Sequence, residues 1–340
     1  MYPELRGTGT QISRKGRKEE EIKILVFPWR PLRENCVSFF CAGLAGHAGL
    51  AWRLMLKGLF SRINGATQQA SIEIEDLGDG ITAYRLHSRW TRMLGFEVSF
   101  YRVGDLLVDT GFAHARPLVL QALEGASISA ICCTHHHEDH TGNAVALAER
   151  QGCPVVIYQP QFLDTEGLDD LLPYRRLFWG SPGSITAEAM SLRIVGRLAE
   201  LEVIPSPGHS QTHVALFESV SRTVFVGDLF VAPGASAVMT HENPYSLVES
   251  LRRVAALEPR RMLTGHGIDV RNPVDRLLAK ARSIERAAEE SCRLFEEGQG
   301  PREVVRRVFP NGRRKDRMLE ILTQGEFSRL NFVRAAGKHG

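Results

Sequence analysis

The chain has 340 residues, of which 43% are apolar and 24% charged, and its net charge is +3. This length and apolar content allow two or three domains with a large buried core. Basic residues concentrate at the two ends, with ten Lys/Arg against four Asp/Glu in residues 301–340, which leaves residues 36–300 acidic. An acidic centre argues against general nucleic-acid binding, because backbone contacts need clustered cations, although the basic tail leaves such a partner open.

The first 70 residues differ in pattern from the rest. Residues 14–21 form a charge run, and residues 37–52 contain no formally charged side chain. The uncharged stretch is shorter than the about 20 apolar residues that a membrane span needs, so no transmembrane segment is predicted. We predict a poorly ordered N-terminal extension, or a true translation start at Met55. A membrane-surface anchor is the alternative.

The six cysteines have the spacing of neither a zinc knuckle nor a disulfide framework. Two of them, Cys132 and Cys133, are adjacent in a predicted strand and point to opposite faces, so they are poorly placed to hold one metal. We predict reduced thiols in a cytoplasmic protein.

A regular pattern of short strands and helices begins at Ser71. Meandering strands come first, strands alternating with helices follow, and the same order then repeats. This pattern predicts two mixed sheets packed face to face with helices outside them. Residues 161–190 read as an irregular lid or substrate loop. The predicted strands are 72–74, 81–86, 96–103, 106–108, 128–133, 154–158, 192–195, 202–204, 213–217, 223–226 and 261–263, and the predicted helices among them are 113–124, 143–151 and 245–257.

A histidine-rich cluster at residues 134–142 follows the apolar strand 128–133. Side chains two residues apart in an extended segment point to the same side. His135 and His137 can therefore bind one ion, while the side chain of His136 points to the opposite side. Asp139 and His140 lie at the mouth of a helix predicted to start near residue 141, where they can face a second ion. Imidazole and carboxylate together suit zinc, manganese or iron.

Three further motifs end predicted strands with a possible metal ligand. His209 follows a Pro-Gly turn, Asp228 follows Gly227, and His266 is flanked by glycines. The glycines allow the backbone to approach closely. Each motif alone is typical of a turn, but in this order after the histidine cluster they predict one site.

The motif order over residues 71–270 resembles the metallo-β-lactamase superfamily. The resemblance implies a catalytic domain over 71–272 of the α+β class, an αββα sandwich with a two-metal site at the edges of its sheets. The most expected metal is Zn²⁺, with iron or manganese as alternatives. Asp109, within Val108-Asp109-Thr110-Gly111, would support a ligating imidazole from behind. The implied ligands are His135, His137 and His209 for the first ion, and Asp139, His140 and His266 for the second, with Asp228 bridging the two.

Such a site implies hydrolysis by a metal-bridging hydroxide, with Asp139 as the catalytic residue that orients it. No Gly-x-Ser-x-Gly elbow offers another nucleophile. His213 is expected to support the site or pack beside it. His241 and Tyr245 lie between two site motifs, where either could contact the substrate, although a tyrosine that opens a helix is also typical of packing.

Residues 273–340 predict a helical C-terminal domain. This appendage is similar to those of glyoxalase II-like thioesterases and of relatives with a winged-helix-like tail. Its basic residues 313–317 would suit an anionic small-molecule substrate, and a solvated helix face is the alternative. We therefore expect an acyl hydrolase acting on a thioester, ester or lactone. The alternatives are a phosphodiesterase or nuclease of the same fold, and a ligand-binding metalloprotein with low turnover or a mononuclear iron oxygenase-type relative.

Overall fold

The computed structural model describes residues 70–163, 171–267, 270–311 and 314–338. The predicted extension over residues 1–70 therefore lies outside the described residues, apart from Ala70.

Seven strands form the first sheet and follow one another in chain order. They are β1 Ser71–Gly78, β2 Ile81–His87, β3 Val98–Val103, β4 Leu106–Val108, β5 Ala130–Cys133, β6 Val155–Ile157 and β7 Glu188–Ala189. The pairs from β1 to β4 are antiparallel, and the pairs from β4 to β7 are parallel. The change of direction follows from the connections, because parallel neighbours need a crossover, which here contains a helix each time.

Five strands form the second sheet. They are β8 Arg193–Val195, β9 Glu200–Pro205, β10 Val214–Glu218, β11 Thr223–Phe225 and β12 Arg261–Leu263. The first four make an antiparallel meander, and β12 joins β11 in parallel after a long helical connection.

The described helices lie on the outer faces of the two sheets and beyond the last strand. They are α1 Arg89–Leu94, α2 Arg116–Ala122, α3 Glu138–Thr141, α4 Ala144–Gln151, α5 Pro173–Trp179, α6 Pro244–Ala255, α7 Pro273–Glu296, α8 Pro301–Val308, α9 Arg314–Leu322 and α10 Arg329–Gly337.

Strand β10 shows how the layers are built. Val214 and Leu216 belong to the core between the two sheets, whereas Ala215 and Phe217 belong to the core under α6 and α7. Alternate residues of a strand point to opposite faces, so this strand is apolar throughout because both of its faces are covered. A third core lies between the first sheet and helices α2, α4 and α5. The order helices, sheet, sheet, helices confirms the predicted αββα sandwich of the α+β class.

The described part of segment 161–190 is more regular than predicted, because it contains α5. Pro173 occupies the first helical turn, where the missing N–H costs nothing, and Phe178 and Trp179 pack into the core of the first sheet. Helix α10 was also not predicted, although Ser328 caps it by accepting from the N–H of Asn331.

The C-terminal helices share one hydrophobic core with the second sheet. Leu277, Leu294, Val304 and Phe332 are buried in the same cluster as Val224 of β11. The domain division at residue 272 stays a prediction. Within the described ranges, no helix has the length and apolar character that crossing a bilayer requires.

Truncation of Leu216, fully buried between the sheets, should lower the free energy of unfolding by about 2–5 kcal/mol, because Leu216→Ala leaves a cavity. Leu198→Ala is the matched control, since that side chain is 78% exposed, and it should change stability by less than about 0.5 kcal/mol. Urea denaturation of both variants measures the difference. Equal effects would mean that the two sheets do not share this core.

Candidate metal centre

The histidine cluster follows strand β5, which is buried and has a parallel neighbour on each side. Helix α3 begins at Glu138, earlier than the predicted start near residue 141, so Asp139 and His140 project from its first turn. His136 turns away from the cluster as expected, and its Nδ1 lies 2.9 Å from Oγ1 of Thr212.

Three buried imidazoles converge at one point. Nδ1 of His137 lies 3.0 Å from Nε2 of His135 and 3.0 Å from Nε2 of His209. Burial lowers the pKa of His135 and His137 well below the ordinary value, since neighbouring histidines add to the cost of a charge. Neutral imidazoles present lone pairs, which is the form that binds a metal.

A second group gathers around the carboxylate of Asp228. Its Oδ2 lies 3.3 Å from Nε2 of His266 and 3.6 Å from Nε2 of His209, and its Oδ1 lies 3.1 Å from Nε2 of His140. Oδ2 of Asp139 lies 3.6 Å from Nε2 of His266. Asp228 therefore faces both sets of predicted ligands.

The charges in this second group differ from those in the first. Burial opposes a charge on His266, but the carboxylates of Asp228 and Asp139 outweigh burial and raise its pKa to about 9. Burial likewise raises the pKa of Asp228, and the neighbouring His266 and His140 lower it well below the ordinary value. In this group carboxylates and imidazoles thus stabilise each other's charged forms, whereas the neighbouring His135 and His137 are held neutral.

Two buried atoms at the centre lack hydrogen bonds within the described structure. They are Nε2 of His140 and Oδ1 of Asp228, which approach each other without hydrogen-bond geometry. A buried polar atom without a partner is costly, and a divalent cation between these atoms would satisfy both. The described residues include three sets able to hold an ion: His135, His137 and His209; His135, His140 and Asp228; and Asp139, His140 and His266. The residues therefore fit the metals that the sequence predicts.

Residues 101–266 match the family model of the metallo-beta-lactamase superfamily. Residues 101–266, just under half of the chain, are thus a domain of the metallo-beta-lactamase type. Together with the ligand sets described above, this match supports a metal-dependent hydrolase of the superfamily.

Among curated relatives, the chain is similar to a probable metallo-hydrolase of Bacillus subtilis (strain 168), at 26% identity over 48% of this chain and 75% of that protein. It is also similar to a hydroxyacylglutathione hydrolase of Shewanella sp. (strain ANA-3), at 25% identity over 56% of this chain and 66% of the relative. A solved beta-lactamase domain protein from Burkholderia ambifaria shares the fold, with a TM-score of 0.58 at 17% identity over 78% of this chain and 87% of the other.

Asp109 orients a predicted metal ligand by a hydrogen bond to the ring nitrogen that faces away from the centre, which is the position that the superfamily resemblance implied. Its Oδ2 accepts a hydrogen bond from Nδ1 of His140 at 2.8 Å, and its Oδ1 accepts from the backbone N–H of Thr134 at 2.7 Å. Its backbone is left-handed, with φ of 59°, a conformation that aspartate tolerates better than most residues. The carboxylate thus orients one histidine and holds the start of the histidine cluster.

Other histidines have their own acceptors. Nδ1 of His266 lies 2.9 Å from the carbonyl oxygen of Glu97, and Nδ1 of His209 lies 3.5 Å from Oε2 of Glu242. Such contacts fix the ring so that the opposite nitrogen faces the metal. The sequence analysis missed Glu242, and the only available signal was its position in the loop before α6.

His213 lies beside the centre rather than among the ligand sets. Its Nε2 accepts from the backbone N–H of Asp228 at 3.2 Å, and its Nδ1 lies 3.0 Å from Oγ of Ser206. These contacts connect His213 to the loop that presents Asp228.

Gly265 permits the closest approach in the centre. A Cβ at this position would lie 2.4 Å from Cε1 of His140 and 2.8 Å from Oδ1 of Asp228. No other residue fits without moving these two side chains.

The two proposed substrate contacts differ in position. The ring of His241 lies 5.9 Å from that of His137, next to the centre. The hydroxyl of Tyr245 instead lies 3.4 Å from Sγ of Cys292 and donates to the carbonyl oxygen of Ala336, so Tyr245 packs against α7 and α10. Neither side chain is among the residues that line the cavity, and the contacts of Tyr245 favour its packing alternative.

A cavity of about 740 Å³ opens onto the centre. Its floor includes His137, Asp139, His209, Asp228 and His266, and helix α5 and the C-terminal helices form its walls. Wall residues include Phe178, Trp179, Leu319 and Phe332 from these helices, and Phe327 from the turn between α9 and α10. The walls are therefore largely apolar around a polar floor, which is the usual construction of a small-molecule site.

Arg175 of α5 joins the C-terminal segment to the metal-binding loop. Its guanidinium donates to both carboxylate oxygens of Glu138 and to Oε1 of Glu326, and the Tyr174 hydroxyl also contacts Glu326. Glu138 lies between the predicted ligands His137 and Asp139 and is almost fully buried. The predicted substrate segment thus contacts the loop that presents the metal ligands.

The variant Asp109→Asn should bind metal about 10–100-fold more weakly, because His140 loses its carboxylate acceptor. The control is Asp105→Asn: Asp105 is as buried, but it accepts from the N–H groups of Arg197 and Leu198, remote from the ligand sets. Competition with a fluorescent chelator measures both affinities. Equal losses in the two variants would contradict the supporting role of Asp109.

The variant Arg175→Met should lower the free energy of unfolding by about 3–5 kcal/mol, because it leaves the Glu138 carboxylate buried without its partner. The double variant Arg175→Met, Glu138→Gln should recover part of that loss, since no buried charge then remains unpaired. Denaturation of the metal-free proteins provides the measurement. No recovery in the double variant would exclude the ion pair as the cause.

Proposed function

We propose that this chain is a binuclear metal-dependent hydrolase that acts on a thioester, an ester or a lactone. One observation supports this most strongly: the carboxylate of Asp228 lies between two sets of ligands at the floor of an apolar cavity. The predicted ligand set of seven residues is complete in this arrangement. Asp228 is the residue that the two ions would share.

Two divalent cations held by these residues would supply an ionised water at neutral pH and neutralise charge that develops on a substrate oxygen. The chain's own residues position the reactants. Asp139 presents Oδ2 to His266, which leaves Oδ1 to accept a hydrogen bond from the attacking water and orient it. We assign Asp139 as the catalytic residue for this reason.

Acyl compounds fit the cavity better than other substrates of this superfamily. The aromatic and aliphatic walls suit an acyl chain, and the polar floor suits a carbonyl group. The Shewanella relative is named for a glutathione acyl compound, which is a thioester, and this points to the same chemistry.

Zinc is the metal that we propose. Three imidazoles make a set that zinc readily accepts, whereas the carboxylate-containing set would also suit iron or manganese. The four cysteines in the described part of the chain are free thiols, which suits a reducing cytoplasm.

The phosphodiesterase alternative rests on the basic C-terminal tail. In the described part of that tail, Arg306 and Arg307 pair with Glu303, and Arg329 pairs with Asp316. The side chains of the basic residues 313–315 lie outside the described part of the chain. The acyl hydrolase is favoured by the apolar walls of the cavity.

Metal-reconstituted protein should hydrolyse thioesters or lactones, and Asp139→Asn should lower kcat/KM by about 10²-fold or more, since a positioned water-orienting group contributes on that scale. Asp105→Asn should leave kcat/KM within a factor of about three, as expected for a buried carboxylate away from the reacting atoms. A panel of acyl thioesters, lactones and bis(p-nitrophenyl) phosphate, with and without a chelator, provides the measurement.

Activity on the phosphodiester alone would select the phosphodiesterase alternative. Tight metal binding without turnover of any panel member would select the ligand-binding metalloprotein.

A further inference from the structure

Lys280 of helix α7 is a buried cation that the proposed chemistry does not use. Its side chain lines the cavity but is only 5% exposed, and its Nζ lies 5.1 Å from the centre of the Phe230 ring. Lysine is rarely buried without a partner, because removing the ammonium from water is costly.

The nearby carboxylates are engaged elsewhere. Glu242 and Asp228 are the acidic groups that act on Lys280. Oε1 of Glu242 accepts from the N–H of Met239, and its Oε2 faces His209. Both oxygens of Asp228 face predicted metal ligands. Among the described residues, none forms an ion pair or hydrogen bond with Nζ of Lys280.

The other cations that line the cavity do have partners. Arg175 contacts Glu138 and Glu326, and Arg92 donates to Oγ of Ser71. His87 faces Glu97 at 3.4 Å. Arg92 is exposed and contacts an uncharged hydroxyl, so among the described residues Lys280 is the buried Lys or Arg of the cavity wall without an ion-pair or hydrogen-bond partner.

We propose that Lys280 binds a carboxylate on the acyl part of the substrate, so that the enzyme selects acids whose far end carries one negative charge. This inference rests on the proposed acyl-hydrolase function. The floor of the cavity would hold the reacting carbonyl, while the ammonium on the wall holds the other end. One available cation in apolar surroundings matches a monoanion, whereas a phosphate group would need several donors.

The chemistry of the lysine supports this role. Burial lowers its pKa to about 8, so most molecules still hold the proton at neutral pH. A carboxylate that enters the cavity meets an ammonium that has already lost most of its water. An uncharged acyl group would leave that ammonium unpaired, which is the arrangement that gives strong discrimination.

Binding of simple acids to the metal-reconstituted protein tests the inference without turnover. Straight-chain dicarboxylates from succinate to suberate would be compared by calorimetry with the monocarboxylates of equal chain length. Monocarboxylates and dicarboxylates can both place one carboxylate at the floor of the cavity. The difference between their affinities therefore reports only the contribution of the second carboxylate. For at least one chain length, the dicarboxylate should bind about tenfold tighter or more, as expected for a hydrogen bond to a buried charge.

Three variants separate recognition from packing. Lys280→Met keeps the length of the side chain and should remove the preference for the dicarboxylate. Lys280→Arg should keep part of it, because the charge remains. Arg282→Met removes an exposed charge from the same helix and should leave the preference unchanged. Thermal denaturation identifies any variant that does not fold, and Lys280→Gln then replaces it.

The outcomes for the two proposals are distinct. Equal binding of mono- and dicarboxylates at every chain length, or a preference that survives in Lys280→Met, would overturn the role of Lys280, whether or not thioesters are hydrolysed. A preference that disappears in Lys280→Met but not in Arg282→Met supports it. The same proteins assayed with glutaryl and valeryl thioesters of N-acetylcysteamine should show a KM for the glutaryl compound that rises about tenfold in Lys280→Met. A lack of turnover of these thioesters and of every thioester, ester and lactone of the panel would overturn the acyl-hydrolase proposal, whereas the role of Lys280 is decided by the binding comparison.

Discussion

The carboxylate of Asp228 faces imidazoles from both sides of the centre, and the rest of the site depends on this contact. A buried carboxylate is stable only where positive charge compensates it. His140 and His266 supply that charge when protonated, and divalent cations would supply it in their place. The carboxylate of Asp228 is thus stabilised by positive charge both in the metal-free protein and when metal is bound. The ligand atoms are already in position in both cases.

Positioning this carboxylate requires the sandwich. Asp228 follows β11, His266 follows β12, and the histidine cluster follows β5 of the other sheet. Hydrogen bonds join the sheets near this point, from the N–H of Ser99 to the carbonyl oxygen of Gly265 and from the Tyr101 hydroxyl to that of Thr264. The core between the sheets therefore determines the distances between ligands that lie more than a hundred residues apart in the chain.

The sequence was sufficient to predict the ligand candidates, because they follow apolar strands, at turns or at the start of a helix, and local pattern reveals these features. The role of Asp109 was implied by the resemblance to the superfamily, and His213 was noted from its spacing to His209. Glu242 and Lys280 were not, because their roles depend on what tertiary packing places around them. Lys280 reads in the sequence as one more charge on an amphipathic helix, and only its burial in the folded protein distinguishes it.

Short elements explain the remaining differences. Helix α5 lies in a segment without apolar periodicity. Its position in the cavity wall depends on the contacts of Tyr174 and Arg175 with Glu326, about 150 residues away in the chain. Pattern within a window of ten residues contains no information about such a partner. The folded chain reveals it directly.

The contact of Arg175 with both Glu138 and Glu326 also limits how this protein can change its substrate. A wall built from C-terminal helices invites exchange with the corresponding segment of a relative, as a route to new specificity. Here such an exchange would remove Glu326 and leave a buried guanidinium with half of its ion pairing, next to the loop that presents His137 and Asp139. A chimera would therefore need α5 and the C-terminal segment from the same parent, and the two would be inherited as one unit.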